Sequence, residues 1–166
     1  LTKEYGDVTA LEDVSFEIED EFAVLLGESG AGKSTMLRCV NGLAEPTEGS
    51  IQLDGEEIAD SRSDVGMIFQ QHNLIGGVSA YMNALTGSLD RVSVIKSLMQ
   101  WQSREDKLRS LEALETVGLL DEAGQRVSQM SGGQQQRVAI ARSLVQDPRL
   151  LLADEPVASL DPASAE

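Results

Sequence analysis

Three glycines, a lysine and three hydroxyl residues are packed into Gly27-Glu28-Ser29-Gly30-Ala31-Gly32-Lys33-Ser34-Thr35. This G-x-x-x-x-G-K-S spacing suits the binding of a phosphate chain. The glycines let successive N–H groups turn inward, and the start of a following helix adds partial positive charge. Lys33 is placed to reach the β- and γ-phosphates, and the Ser34 hydroxyl to hold Mg²⁺. Such a loop needs a strand before it and a helix after it. The apolar run Phe22-Ala23-Val24-Leu25-Leu26 and the helical pattern Thr35 to Val40 are expected to supply them. A glycine-rich turn without a ligand does not call for Lys-Ser in this register. The chain is read as binding a nucleoside triphosphate.

Three further groups could act on that ligand. Leu150-Leu-Leu-Ala-Asp154-Glu155-Pro156 is an apolar strand ending in two carboxylates. Adjacent strand residues face opposite sides, so one can hold Mg²⁺ through water while the other polarises an attacking water. Gln70 follows the apolar run Val65 to Phe69, at a strand end where α/β sheets place ligands. Its amide oxygen could serve Mg²⁺ or water. Ser131-Gly132-Gly133-Gln134 fits a capping box ahead of a helix carrying Val138, Ala141 and Val145. Two glycines in a first turn weaken a helix, and close approach to an anion would explain them.

Two aromatic positions each have a plainer role open to them. Tyr5 is either a surface aromatic or a ring stacked on adenine, and spacing leaves both open. His72 is the sole histidine, with no nucleophile or carboxylate near it in sequence, and is read as a solvated loop residue.

Composition narrows the class. The 166 residues carry 28 Asp+Glu against 13 Lys+Arg, for a formal net charge of −15. Phosphate backbones are bound by Lys and Arg, so nucleic acid is not expected as a partner. The carboxylates are dispersed, as on a solvated surface, and read either as suited to a salt-rich cytoplasm or as the surface of an acidic mesophilic protein. No apolar run is long enough to cross a bilayer. The single cysteine, Cys39, fits a small buried position in a reducing compartment.

The elements that must position these groups follow from pattern. Alternation of Val14, Phe16 and Ile18 predicts a strand. Asn41-Gly42 is placed to end the helix after the loop, and Asp54-Gly55 to close a hairpin from the strand Ser50 to Leu53. From Val78 to Gln146 the character becomes helical. One helix is expected to start at Ser103 and stop at Gly118, burying Leu108, Leu111, Leu114 and Val117. The stretch Val94 to Trp101 reads as either helix or partner surface.

Taken together, these residues resemble the ATPase subunit of ABC transporters over essentially the whole chain. Gly27 to Thr35 is similar to the Walker A loop, Gln70 to the Q-loop glutamine, and Ser131 to Gln134 to the signature motif. Asp154 and Glu155 resemble the Walker B pair, Ser159-Leu160-Asp161 the D-loop, and Tyr5 the adenine-stacking aromatic. Met130 stands where the signature usually has Leu, and Asp20 where a Gly is usual. Ile68 to Leu74, Arg126 to Arg137 and Ala153 to Ser164 look most similar to the phosphonate importer subunit.

The resemblance implies an α/β P-loop NTPase fold, a parallel sheet flanked by helices with a small antiparallel β part. The core would comprise residues 1–77 and 147–166, truncated at both ends before the family's switch histidine, with 78–146 as an inserted helical lobe. ATP and Mg²⁺ are the implied ligands. Gly27, Ser29, Gly30, Ala31, Gly32, Lys33, Ser34 and Thr35 would hold the nucleotide, with Tyr5 and Gln70. Ser131, Gly132, Gly133, Gln134 and Asp161 would serve it across a homodimer. Ser34, Gln70 and Asp154 would organise the metal, and Glu155, Gln70 and Lys33 would be catalytic. The implied partners are a second ATPase subunit, transmembrane permease subunits met near residues 71 to 90, and indirectly a substrate-binding protein. The implied place is the cytoplasmic face of the membrane, peripherally.

Other readings remain. The chain could serve transport of amino acids or phosphate, or lipoprotein release. A soluble DNA-repair or chromosome-organising ATPase would insert coiled coils or zinc modules between loop and signature. Lys33 and Ser131 are only 98 residues apart, with no heptads and no Cys pairs. A P-loop kinase would leave the signature stretch without a purpose.

Overall fold

The computed structural model describes residues 1–19, 22–58, 62–91 and 103–155. Asp20, the stretch Val94 to Trp101, Pro156 and Ser159-Leu160-Asp161 lie outside the described residues. The chain forms two compact units, Leu1–Val65 and Gly66–Glu166. Among the described residues no helix is long and apolar enough to cross a membrane.

The first unit opens with a hairpin of β1 (Lys3–Tyr5) and β2 (Val8–Leu11), turned at Gly6, whose φ is +60°. The pairing is antiparallel, with Glu4 opposite Thr9, Tyr5 opposite Val8, and an irregularity between Lys3 and Glu4. Helix α1 (Lys33–Val40) packs Met36 and Cys39 onto Leu11, the core of this unit. Its end is a Schellman turn. Gly42 sits at φ +72°, the Gly42 N–H donates to Cys39 O at 3.1 Å, and the Leu43 N–H to Arg38 O at 2.9 Å. Strands β3 (Gln52–Leu53) and β4 (Glu56–Glu57) form the expected hairpin. Asp54 and Gly55 both have positive φ, 51° and 82°, as a type I′ turn requires.

Two expected strands in this unit do not form. Residues 14–18 and 22–26 carry no ladder, and Phe22 and Leu26 are 92% and 85% exposed. Alternation and apolar runs mark what a strand would present to a core. The strand itself needs a neighbour to take its backbone hydrogen bonds. Val14 exchanges backbone bonds with Leu1, at 3.0 and 2.6 Å, but among the described residues neither segment joins a ladder.

The second unit is built from β5 (Val65–Ile68), α2 (Ala80–Leu85), α3 (Arg104–Thr116), α4 (Gly132–Gln146) and β6 (Leu150–Ala153). Strands β5 and β6 pair with each other, and β5 is buried along its length. Gly66 lets Pro148 and Leu151 approach, since an added Cβ would lie 2.7 Å from Pro148 Cγ. The core gathers Ala80, Ala84, Ala113, Leu114, Leu119, Val127, Met130, Val138, Ala141 and Val145. Helix α3 begins with the expected Ser103 cap. Ser103 Oγ accepts the Asp106 N–H at 3.0 Å while Asp106 Oδ2 accepts the Ser103 N–H at 3.2 Å. It ends in another Schellman turn, with Gly118 at φ +67° and Leu119 N–H on Leu114 O at 2.8 Å.

The buried face of α3 differs from the expected one. Leu114 is buried and Val117 packs partly against the core, but Leu108 and Leu111 are exposed. Ser110 and Ala113 take the interior positions instead. These positions lie at i, i+3, i+4 and i+7, one helical face. Small residues there let neighbouring helices come close.

Candidate functional site

The phosphate-type loop is shaped by its own glycines. Gly30 and Gly32 have φ of +85° and +84°, a region that side chains rarely adopt. Gly32 is also the N-cap of α1, and a Cβ there would lie 2.5 Å from Ala10 O and 2.9 Å from Leu11 Cδ2. No side chain caps the first turn of α1. Lys33 Nζ donates to Gly27 O at 2.7 Å and Glu28 O at 2.8 Å, so the lysine folds back over the mouth of the loop. Gly27, Ser29, Gly30 and Ala31 are exposed, while Lys33, Ser34 and Thr35 are half-buried. The arrangement is a cationic cradle with glycine amides around it, suited to an anion of the size of a phosphate chain.

Tyr5 ends β1 at 47% exposure, with the Lys3 ammonium 4.8 Å from its ring centroid. The ring is accessible for stacking and already carries a cation on one face. Cys39 is buried as expected, and burial raises its thiol pKa above the ordinary value.

The second unit brings Gln70 and Glu155 together. Gln70 Nε2 donates to Glu155 Oε2 at 3.1 Å, 85 positions away in sequence. The Asp154 N–H continues the β5–β6 contact by donating to Ile68 O at 3.0 Å. Glu155 then turns to φ +47°. Strand β6 ends at Ala153, so both carboxylates lie just past the strand rather than at its last positions. A left-handed glutamate is costly and belongs where surroundings hold it.

In the second unit the Gln70 amide oxygen and the Asp154 carboxylate are hard oxygen donors of the kind Mg²⁺ takes, and in the first unit the Ser34 hydroxyl is another. Among the described residues no cluster of His, Cys, Asp and Glu offers an alternative metal site.

Ser131-Gly132-Gly133-Gln134 starts α4 as a full capping box. Ser131 Oγ accepts the Gln134 N–H at 3.2 Å and Gln134 Oε1 accepts the Ser131 N–H at 2.9 Å. Gln135 Nε2 ties the preceding turn through Val127 O and Met130 O at 3.2 and 3.0 Å. Met130 is buried in the core, so its side chain anchors the motif from behind.

His72 sits at φ +47°, half-buried, and burial lowers its pKa below the ordinary histidine value. Arg142 on α4, which the sequence reading passed over, donates from Nη1 to Asn73 O at 2.8 Å and from Nη2 to His72 O at 3.2 Å. The signal for it was present: Arg142 lies on the same helical face as Val138 and Val145, where a cation needs a reason.

With this geometry in hand, the comparison with known proteins is direct. The chain matches the ABC transporter family over residues 11–158 and belongs to that family. It is 76% identical to a phosphonates import ATP-binding protein of Haloquadratum walsbyi, over all of this chain and 59% of that protein. A protein of the same description from Halobacterium salinarum is 71% identical, over 100% of this chain and 60% of its own length. The chain thus spans about three-fifths of these relatives. Among solved structures, a dimeric bacterial ABC transporter cassette superposes with a TM-score of 0.83 at 36% identity, covering 98% of this chain and 75% of the other. A dimeric post-hydrolysis cassette bound to ADP and Pi gives 0.81 at 35% identity, covering 98% and 74%. The α/β P-loop fold expected from the sequence is the fold of these cassettes.

Proposed function

We propose that this chain is the ATP-binding and ATP-hydrolysing part of an ABC importer that takes up phosphonate or a related phosphorus oxyanion. The observation that carries the nucleotide reading is the Lys33 ammonium held over the glycine loop at the start of α1. The phosphonate reading rests on the names of the two relatives above 70% identity.

In this reading the loop amides and Lys33 would neutralise the phosphates, and Ser34, Gln70 and Asp154 would hold Mg²⁺. The ion, when bound, offsets charge on the β- and γ-oxygens. Glu155 takes a proton from the attacking water, and Gln70 orients that water. In-line attack on the γ-phosphorus needs little covalent help from the protein, so positioning and charge supply most of the rate. Ser131, Gly132, Gly133 and Gln134 would face the ATP of a second copy, as would Asp161. Tyr5 would stack on the adenine. The nucleotide-binding dimer would work on permease subunits at the cytoplasmic face of a membrane, fed by a substrate-binding protein.

Titration with a fluorescent ATP analogue tests the nucleotide reading. The parent should bind, and Lys33→Ala should weaken binding by about tenfold or more, since a charge-assisted contact is lost. Equal affinity for the two proteins would refute the assignment of Lys33.

A further inference from the structure

The backbone just after Gln70 is unusual and is held from one side by a single cation. His72 and Asn73 are consecutive residues with left-handed φ, 47° and 46°. Non-glycine residues are uncommon in this region, and two in succession without a glycine gain from external support. The Arg142 guanidinium supplies it, donating to the carbonyls of both residues at 3.2 and 2.8 Å. Its planar fork fits two adjacent acceptors in a way that a lysine ammonium cannot. Among the described residues no carboxylate pairs with Arg142, so a half-buried charge is committed to loop carbonyls alone. Burial accordingly lowers its pKa.

The rest of the loop is fixed independently. Asn83, buried in α2, accepts from the Ile75 N–H at 2.8 Å and donates to Ile75 O at 3.1 Å and Ser79 O at 3.0 Å. Farther on, Gly76 O and Val78 O accept from the N–H groups of Ser128 and Val127, both at 3.1 Å. The base of Arg142 is equally fixed, because a Cβ added to Gly87 would strike the Arg142 carbonyl oxygen. The segment between Gln70 and Asn73 has backbone bonds of its own, from the His72 N–H to Phe69 O at 3.0 Å and from the Asn73 N–H to Gln71 O, and the guanidinium is the side chain that adds to them.

We propose that Arg142 is a positioning residue for Gln70: from the signature helix it sets the turn at His72 and Asn73, and so the direction in which the Gln70 amide points. The inference rests on the proposed role of Gln70 toward Mg²⁺ and water. It makes the helix that begins at Ser131 and the loop that begins at Gln70 parts of one device, with Arg142 as the link.

The test uses the intact protein with Arg142→Lys, Arg142→Met, Gln70→Ala and the double variant Arg142→Met/Gln70→Ala. For Arg142→Lys and Arg142→Met, ATP-analogue affinity in EDTA, which depends on the glycine loop, should match the parent within about twofold. With Mg²⁺ present, kcat should fall about tenfold or more while KM for ATP changes little, and the Mg²⁺ needed for half-maximal rate should rise severalfold. Arg142→Lys, which keeps the charge but not the fork, should show the same pattern even where Arg142→Met fails to fold. The double variant should be no slower than Gln70→Ala alone. Losses that multiply in the double variant, or an Arg142→Lys protein with the parent kcat and Mg²⁺ requirement, would overturn the proposal. Failure of the parent itself to bind ATP in EDTA would instead sink the nucleotide reading on which it stands.

Discussion

Gln70 Nε2 donates to Glu155 Oε2 at 3.1 Å. A glutamine at the end of β5 and a glutamate just beyond β6 are thereby joined through their side chains. The contact puts a neutral amide, rather than a cation, beside the carboxylate proposed to accept a proton. An amide can hold such a base in direction without cancelling its charge. The pairing of β5 with β6, continued by the Asp154 N–H on Ile68 O, brings these two positions together.

The glycines of the cradle are not equivalent. Both Gly30 and Gly32 are left-handed, but an added Cβ meets nothing within 4 Å at Gly30 and the Ala10 carbonyl at Gly32. Gly30→Ala should therefore lose only the backbone cost of the left-handed region, about 1–2 kcal/mol. Gly32→Ala adds a clash with backbone, which cannot step aside as a flexible side chain could. Thermal melts should show the larger loss for Gly32→Ala, and nucleotide binding should fall with it. Equal losses would mean that the contact with Ala10 does not constrain the loop.

Helix α3 gives a second comparison within one element. Leu114 is fully buried, whereas Leu108 is 49% exposed. Leu114→Ala should cost about 2–5 kcal/mol through lost burial and the cavity left behind. Leu108→Ala should stay within about 0.5 kcal/mol, as surface substitutions generally do. Urea denaturation of the two variants checks both numbers. A large loss at Leu108 would restore the apolar face that the sequence suggested.

What could be read from the chain alone divides along physical lines. Features set by local chemistry were legible: the Ser103 cap, the Ser131 capping box, the helix ends at Gly42 and Gly118, and the Asp54-Gly55 turn. Each depends on residues within a few positions of one another. Features set by neighbours were not. Val14 to Ile18 and Phe22 to Leu26 have strand-like patterns, but a pattern cannot supply the ladder partner. The buried face of α3 escaped because Ser110 and Ala113 are interior for their small size, which a search for large apolar residues passes over. The β1–β2 hairpin was hidden by polar strand residues such as Lys3, Glu4 and Thr9. Arg142 escaped because its acceptors are backbone carbonyls, which leave no trace in residue types. Of the candidate site, the Gly27 to Thr35 loop and the Gln70, Glu155 and Ser131 positions were visible as motifs. The Gln70–Glu155 contact was not.

The net charge of −15 makes its own demand. Arg109 pairs with Glu105 at 3.0 Å and with Asp147 at 3.5 Å, but these exposed pairs contribute little. So large an excess of carboxylates should repel itself and destabilise the compact state at low ionic strength. Screening shortens from about 10 Å at 0.1 M salt to about 3 Å at 1 M. The melting temperature of the intact protein should therefore rise steadily as KCl goes from about 0.1 M to molar levels. The Haloquadratum and Halobacterium relatives fit this expectation. A flat or falling melting temperature over that range would show that the acidity has no such role.

The central claim, ATP hydrolysis with Glu155 as base, is tested most directly by single-turnover hydrolysis with Glu155→Gln in the intact protein. The substitution keeps the size of the side chain and leaves the Lys33 loop and Asp154 untouched. ATP affinity should match the parent, while the rate of γ-phosphate cleavage falls by about 10²-fold or more, the usual contribution of a positioned base. A Glu155→Gln protein that binds ATP as the parent does and cleaves it at the parent rate would contradict the account.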